Sequence, residues 1–256
     1  MEAALGVALR LPEPPRLTVA GRTDSGVHAR GQVAHTDVPA DAWAAVPGRS
    51  TRTPEAALAD RLAALLPIDV VVHRAQRTQP DFDARFSAIW RRYTYRIADE
   101  VAHRDPLRRD VLWHRRELDV AAMAEAARRL RGEHDFAAFC RPRAGATTIR
   151  ELQAFTWERT TTGTVSAHVR ADAFCHSMVR ALVGACLAVG EARRPPQWPA
   201  EVLAAGERDH AVTVAPARGL TLEEVGYPPA SSFAARAAHT RRVRTLPTEA
   251  SPGETG

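Results

Sequence analysis

The order of its predicted helices and strands constrains the fold of this chain more than any other feature of the sequence. Between residues 111 and 225 a strand, a helix, two strands, a second helix and a last strand follow one another. Asp119 caps the first helix, the turn at Thr162-Gly163 separates the middle strands, and the second helix covers about 177–190. This β-α-β-β-α-β order predicts a ferredoxin-like unit.

The first part of the chain shows the same order with its opening strand missing. Its elements are the end of a helix, a pair of strands, a helix and a strand, at residues 2–10, 16–20 with 32–38, 55–66 and 68–75. The helix has clear signals, because Thr53 can cap it and Pro54 suits its first turn. A further strand at 89–97 places Tyr93 on the same face as two isoleucines.

These patterns predict an α+β chain of two domains. Residues 1–105 form the N-terminal half and residues 106–229 the C-terminal half, with the polar and basic stretch 99–109 as the linker between them. Residues 230–256 are rich in Ala, Arg, Pro, Ser and Glu, which predicts a disordered basic tail. No apolar run is long enough to cross a membrane and no secretory signal is visible, so we expect a cytoplasmic protein.

All 35 basic residues are arginine, and the 256-residue chain contains no lysine. A phosphate-binding P-loop and a Schiff-base enzyme both need lysine, so neither class of chemistry is open to this chain. Arginine grips phosphate in two places and stacks on bases, and with a net charge of +5 it points to nucleic acid as a partner. The alternative explanation is a genomic preference for arginine codons.

The three cysteines show no pattern of a metal or disulfide framework. Cys140, Cys175 and Cys186 lack a Cys-x-x-Cys spacing and lie in otherwise ordinary segments. This arrangement is typical of a reducing cytoplasm. We therefore predict three free, buried thiols that act as small hydrophobic residues.

Residues 21–37 gather a carboxylate, arginines and three glycines in one predicted turn, with Asp24 at its centre. Strand-like stretches precede and follow the turn, so we expect Asp24 on a loop held by strands, where catalytic groups are often mounted. Asp-Ser-Gly is also common turn chemistry, and a structural role for Asp24 is the alternative. His28, His35 and Asp37 could suggest a metal site, but no fourth ligand or recognised spacing accompanies them, and we predict no metal.

Four segments resemble the motifs of the tRNA pseudouridine synthase A family, in the order in which the family carries them. They are Gly-Arg-Thr-Asp-Ser-Gly-Val-His-Ala at 21–29, Phe-Asp-Ala-Arg-Phe-Ser-Ala at 82–88 with Arg-Tyr-Thr-Tyr at 92–95, Phe-Cys-His-Ser-Met-Val-Arg at 174–180, and Ala-Arg-Gly-Leu-Thr-Leu-Glu-Glu-Val-Gly-Tyr-Pro at 217–228. The resemblance extends over residues 2–228. Ser25 stands where the family usually has alanine.

The resemblance implies an isomerase that converts uridine to pseudouridine at positions 38–40 of the tRNA anticodon arm, without a cofactor. The family's nucleophilic aspartate falls on Asp24 and its substrate-contacting tyrosine on Tyr93. Arg22 resembles the arginine that replaces the extruded base, and Arg180 resembles the one that pairs with the catalytic carboxylate. The resemblance also implies a homodimer, and two ferredoxin-like halves in one extended antiparallel sheet with helices on one side and a central RNA-binding cleft.

The reaction makes demands that these residues could meet. The bond from C1′ to N1 must break and C1′ must join C5, so the site needs a carboxylate that attacks the sugar or removes a proton from it. A sheltered Asp24 needs a cation such as Arg180 to keep its charge. The base must leave its stem at a cost of roughly a few kcal/mol. Tyr93 offers a ring for stacking, worth about 1 to 3 kcal/mol, although whether it acts as a base or as a platform stays open.

The family's opening strand has no counterpart before residue 2, which matches the strand missing from the first half. The second hypothesis is therefore a truncated, catalytically impaired homologue that binds tRNA through its arginines. A third hypothesis, a metal-dependent hydrolase using His28 and His35, would lose activity to chelators.

Overall fold

The computed structural model describes residues 1–141, 147–207 and 209–241. The described chain divides into two compact units. Unit 1 comprises Met1–Gly21, Val33–Ser87 and Pro228–Ala238, and unit 2 comprises Arg22–Gln32, Ala88–Tyr227 and residues 239–241. These units interleave along the chain, whereas the predicted domains 1–105 and 106–229 follow sequence order. That division stays a prediction.

Helices and strands together make a mixed α+β fold, as the sequence predicted. The helices are α1 Glu2–Leu9, α2 Ala40–Ala45, α3 Pro54–Leu65, α4 Val120–Arg128, α5 Met178–Gly190, α6 Trp198–Ala205 and α7 Phe233–Arg241. The strands are β1 Thr18–Val19, β2 His28–Ala29, β3 Ala34–His35, β4 Trp90–Ala98, β5 Leu112–Trp113, β6 Gly132–Asp135, β7 Ile149–Arg159, β8 Val165–Ala171 and β9 Leu220–Gly226. Among the described residues, no helix combines the length and the apolar character that crossing a bilayer requires.

Unit 1 buries a small apolar cluster beneath its helices. The buried residues are Leu5, Ala8, Leu9, Val46, Ala57, Leu58 and Leu62. The N–H of Ala56 donates to Thr53 Oγ1 at 3.4 Å, and Pro54 occupies the first turn of α3. These signals confirm the predicted helix. β1 and β3 pair antiparallel, which confirms the predicted strand pair.

Unit 2 is built on a seven-stranded, mostly antiparallel sheet. Its strands lie in the order β2, β9, β4, β8, β7 and β6, and β5 also pairs with β4. The β2–β9 and β4–β5 pairs are parallel, and the remaining pairs are antiparallel. β4 buries Tyr93, Tyr95 and Ile97 on one face, as the alternation predicted. The strands predicted near 151–159, 164–171 and 221–225 are present as β7, β8 and β9.

Helix α5 lies deep in unit 2. Every residue from Met178 to Gly190 except Arg180 is buried, as expected for a helix that is apolar on nearly all sides. A Cβ at Gly184 would collide with the carbonyl oxygen of Thr213, so glycine allows the segment 213–215 to lie against the helix. This close approach brings Ala215 beside Arg180.

One predicted strand is absent, and one observed strand was not predicted. Residues 68–75 form no strand, and Ile68 and Val71 are exposed. An apolar pattern indicates that a segment could pair but does not show whether a partner strand is available. Conversely, the short polar segment Gly132–Asp135 was not predicted as a strand, yet it pairs as β6 along its whole length with β7.

The tail also differs from its prediction over part of its length. A short turn at Ala230–Ser232 leads into α7, where disorder was expected. Phe233 and Ala237 of this helix are buried, and the Phe233 ring meets Phe82 edge-on with centroids 5.1 Å apart. Two apolar side chains that pack against the rest of unit 1 are enough to order a segment that is polar on average. Residues 242–256 of the predicted tail lie outside the described residues.

The prediction of three free thiols is wrong for one pair. Cys140 and Cys175 form a disulfide, with their Cα atoms 5.7 Å apart, whereas Cys186 is free and buried. The two bonded cysteines are 35 residues apart in sequence. Spacing motifs detect local cysteine pairs, and they do not detect two loops that the fold brings together.

Candidate active site

The loop that carries Asp24 is attached to the sheet of unit 2. The N–H of Val27 donates to the carbonyl oxygen of Asp24 at 3.1 Å, and Gly26 has a φ of 83°, a left-handed conformation that suits glycine. The chain then pairs with β9 as β2, and a Cβ at Gly31 would collide with the carbonyl oxygen of Glu223. The glycines of this segment therefore permit the tight turn and the close attachment that fix Asp24.

Three side chains from one short segment surround the Asp24 carboxylate. Arg180 Nη1 donates to Oδ2 at 2.8 Å, and Ser177 Oγ donates to the same oxygen at 3.3 Å. His176 Nε2 lies 3.3 Å from Oδ1. The Asp24 side chain remains 26% exposed. The carboxylate is thus held in place and still accessible to a ligand.

The backbone around α5 aims these side chains at Asp24. Arg180 Nε donates to the carbonyl oxygen of Ala215 at 2.7 Å, and the Ala215 N–H donates back to the Arg180 carbonyl at 3.0 Å. Ser177, just before the helix, has a φ of 64°, which costs of order 1–3 kcal/mol for a residue with a Cβ and is common at functional sites. This conformation turns the chain so that residues on both sides of Ser177 reach one carboxylate.

Tyr93 lies in the centre of the sheet, on β4, and is only 7% exposed. Its ring meets Phe174 edge-on, with centroids 5.2 Å apart. Burial raises the pKa of Tyr93 to about 12, the Arg91 charge opposes this rise, and the Asp24 charge adds to it. The phenol therefore stays protonated at neutral pH, which suits a platform or hydrogen-bond donor better than a base.

An open cavity of about 670 Å³ lies over the carboxylate. It is lined by Asp24, Ser25, Arg141, His176, Ser177, Arg180 and Val214, all of them in unit 2. Of the described residues in this lining, Val214 alone is apolar. Two arginines and a histidine around one carboxylate suit a polar, anionic ligand such as a nucleotide.

Comparison with known proteins assigns the chain to a family. Residues 126–228 match a family model described as tRNA pseudouridine synthase. A Streptomyces griseus protein named tRNA pseudouridine synthase A is 56% identical over 96% of this chain and 85% of its own length. Proteins of the same name from Frankia casuarinae and Corynebacterium glutamicum are 58% and 49% identical, over 97% and 96% of this chain and 86% of their own lengths.

The chain belongs to the tRNA pseudouridine synthase A family. Each alignment covers at least 96% of the chain, so the residues that it omits are fewer than the residues that precede Asp24. The aligned region therefore includes both the Asp24 loop and helix α5. In this member of the tRNA pseudouridine synthase A family, Arg22 is exposed on the same loop. Among the described residues, the carboxylate contacts come from His176, Ser177 and Arg180 and do not include Arg22.

Sequence reasoning missed three of the polar side chains at this site. His176 and Ser177 stand inside the segment 174–180 that resembles a family motif, so a signal for them existed, but no role was assigned to them. Arg141 carried no signal, since it follows a cysteine in an unremarkable stretch. Its N–H donates to the carbonyl oxygen of His176 at 3.0 Å, which places it at the cavity wall.

The structure gives a different role to one residue of the metal hypothesis. His35 Nδ1 accepts a hydrogen bond from the N–H of Ala84 at 2.9 Å, so it supports a turn of unit 1. The described side chains spaced for a metal ion are Asp99, Glu100 and His103. Both oxygens of Asp99 are bound at 2.8 Å by the guanidinium of Arg159, which is the arrangement of a structural ion pair.

Proposed function

We propose that this chain converts uridine to pseudouridine at positions 38–40 of the tRNA anticodon arm, with Asp24 as the nucleophile. As a member of its family the chain is an isomerase that acts on tRNA. One observation supports the catalytic assignment above the others: Asp24 meets Arg180 at 2.8 Å in the wall of an open polar cavity. The guanidinium stabilises the charge that a nucleophilic carboxylate needs.

The proposed chemistry needs no oxidant, reductant or cofactor. A carboxylate oxygen of Asp24 forms a bond to C1′ of the ribose while the C1′–N1 bond breaks, and the electron pair leaves with the uracil. The ring turns, its C5 attacks C1′, and the C1′–oxygen bond breaks to restore the carboxylate. C5 then loses its proton and N1 gains one. The product is an isomer of the substrate, and Asp24 ends in its starting state.

The target base must first leave the stacked stem, at a cost of roughly a few kcal/mol. We assign to Arg22, exposed two residues before Asp24, the role of filling the space that the base leaves. Tyr93 then contacts the extruded base as a protonated phenol, as its raised pKa favours. The arginine-only basic composition and the net charge of +5 support binding to the tRNA backbone.

The wider architecture is part of this proposal. Two ferredoxin-like halves, at 1–105 and 106–229, account for the repeated element order along the chain. The antiparallel pair β7–β8 with α4 and α5 supports this interpretation for the second half. The homodimer and the cytoplasmic location that the motifs imply complete the proposal.

Replacing Asp24 with asparagine tests the assignment. Asp24→Asn keeps the size of the side chain and removes its charge, so we expect the release of tritium from tRNA labelled at uridine C5 to fall by at least roughly 1,000-fold. Binding of tRNA, measured by filter retention, should change by no more than a few-fold. Asp37→Asn makes the same change at an exposed carboxylate and serves as the control. Substantial turnover by Asp24→Asn would contradict the proposal.

A further inference from the structure

We propose that His176 is a positioning residue for Asp24, which presents Oδ1 to the cavity as the oxygen that reacts with the sugar. This inference rests on the proposed function, because it takes Asp24 as the nucleophile. The motif resemblance assigns roles to Asp24 and Arg180 and none to His176. The inference is carried by the unequal surroundings of the two carboxylate oxygens.

Oδ2 of Asp24 is the more firmly bound oxygen. It accepts from Arg180 at 2.8 Å and from Ser177 at 3.3 Å. Arg180 cannot easily move away, because its Nε and its backbone are both bonded to Ala215. A charged donor and a second donor draw electron density from an oxygen and occupy its lone pairs. Oδ2 is therefore the poorer nucleophile of the two.

Among the residues that the structure describes, Oδ1 of Asp24 has one, weaker side-chain contact, from His176 Nε2 at 3.3 Å. The His176 side chain is 49% exposed, whereas that of Arg180 is 19% exposed. An oxygen that attacks carbon must exchange its polar neighbour for that carbon, and an exposed imidazole can withdraw at low cost. Oδ1 is thus the oxygen that is free to react, and His176 sets its direction until substrate arrives.

The backbone of His176 is fixed although its ring is exposed. Its carbonyl oxygen accepts from the Arg141 N–H at 3.0 Å. The preceding residue, Cys175, is bonded to Cys140, and the left-handed conformation of Ser177 follows directly. A fixed backbone with a movable ring is what a positioning residue requires, because the ring returns to the same place after each turnover.

Two substitutions separate positioning from proton transfer. His176→Ala removes the contact with Oδ1, whereas His176→Gln keeps an N–H donor of similar reach but cannot exchange a proton near neutral pH. The control is His168→Ala, since His168 is also half-exposed and also paired with a carboxylate, that of Glu158 at 3.1 Å. All variants are made in the full chain, and their folding is compared by circular dichroism.

We expect His176→Ala to lower the single-turnover rate of tritium release by roughly 10- to 100-fold, the effect of losing one polar contact with a charged group. The Kd for tRNA should stay within a few-fold of the wild-type value. His176→Gln should recover most of the rate, and His168→Ala should match the wild type. A His176→Gln variant as slow as His176→Ala would overturn the positioning role, and so would a loss confined to the Kd or an unchanged rate in His176→Ala.

A structural measurement, which does not depend on catalysis, keeps the test of His176 separate from the test of the proposed function. In crystal structures we expect the Asp24 carboxylate to rotate about its Cβ–Cγ bond in His176→Ala and to keep its orientation in His176→Gln. An inactive wild-type chain, or an active Asp24→Asn variant, would refute the proposed function alone, and the Asp24 orientation would still decide the role of His176. An unchanged carboxylate in His176→Ala would overturn the inference.

Discussion

Replacing Arg180 with methionine should slow catalysis strongly while leaving tRNA binding almost unchanged. Methionine keeps much of the length and apolar volume of the side chain but removes the guanidinium. The change therefore leaves the Asp24 carboxylate without its cation, and leaves the Ala215 carbonyl without the donor that now reaches it at 2.7 Å.

The size of the effect follows from the geometry of the pair. Unit charges 2.8 Å apart attract by about 6 kcal/mol at an effective dielectric constant near 20. The Arg180 and Asp24 side chains are 19% and 26% exposed. Screening by water and the cost of desolvation therefore offset much of this attraction. A net loss of about 2 to 3 kcal/mol corresponds to a fall of roughly 30- to 150-fold in kcat.

Steady-state tritium release with labelled tRNA measures this loss, with kcat and KM determined separately. Arg180→Lys should fall between the wild type and Arg180→Met, because lysine restores the charge but cannot reach Asp24 and Ala215 together. Arg129→Met is the matched control, since Arg129, directly after α4, also pairs with a carboxylate at 2.7 Å, but in an exposed position. A kcat for Arg180→Met within about three-fold of wild type would refute the role of the ion pair. Such a small change would mean that the pair lowers the activation free energy by less than about 1 kcal/mol.

Two further predictions concern stability. Burial alone would raise the pKa of Asp99, but hydrogen bonds from Arg159 and from the Leu118 N–H lower it below its usual range. The stabilisation that the ionised Asp99 provides should therefore be complete above pH values near 4. It should be lost as the pH falls through the lowered pKa of Asp99 in the folded state. Arg159→Met should lower the free energy of unfolding in urea by about 3 to 5 kcal/mol at pH 7, and equal stability at pH 7 would contradict the ion-pair argument. Gly184→Ala, which drives a methyl group into the Thr213 carbonyl, should cost about 1 to 3 kcal/mol and also lower activity; a fully stable and active variant would show that the close approach is dispensable.

Much of the fold could be predicted because its signals are local. The cap at Thr53, the turn at Gly163 and the alternation along β4 each depend on neighbouring residues, and the structure contains the corresponding elements. The absence of the strand expected at 68–75 and the presence of the unpredicted strand β6 have one shared reason. Whether an extended segment becomes a strand depends on a partner elsewhere in the chain.

The residues of the candidate site also divide into those that a local pattern indicates and those that only the fold brings together. Asp24, Arg22, Tyr93 and Arg180 could be selected because each stands in a segment with a recognisable pattern. Arg141 could not be selected, because its place in the cavity depends on the loop of His176 lying beside it. The disulfide between Cys140 and Cys175 joins the same two loops and escaped prediction for the same reason.

The family, most of the order of the elements and the residue types available for chemistry could be inferred from the chain alone, since all of these are properties of contiguous segments. Which groups meet depends on how distant segments pack. Arg180 is 156 residues from Asp24 along the chain, and no local pattern reports a contact across that distance. The sheet and helix α5 make the contact, because β2 fixes the Asp24 loop to β9 while Gly184 and Ala215 fix the end of α5 that carries Arg180. The same packing makes the two oxygens of Asp24 unequal, and that inequality carries the role proposed for His176.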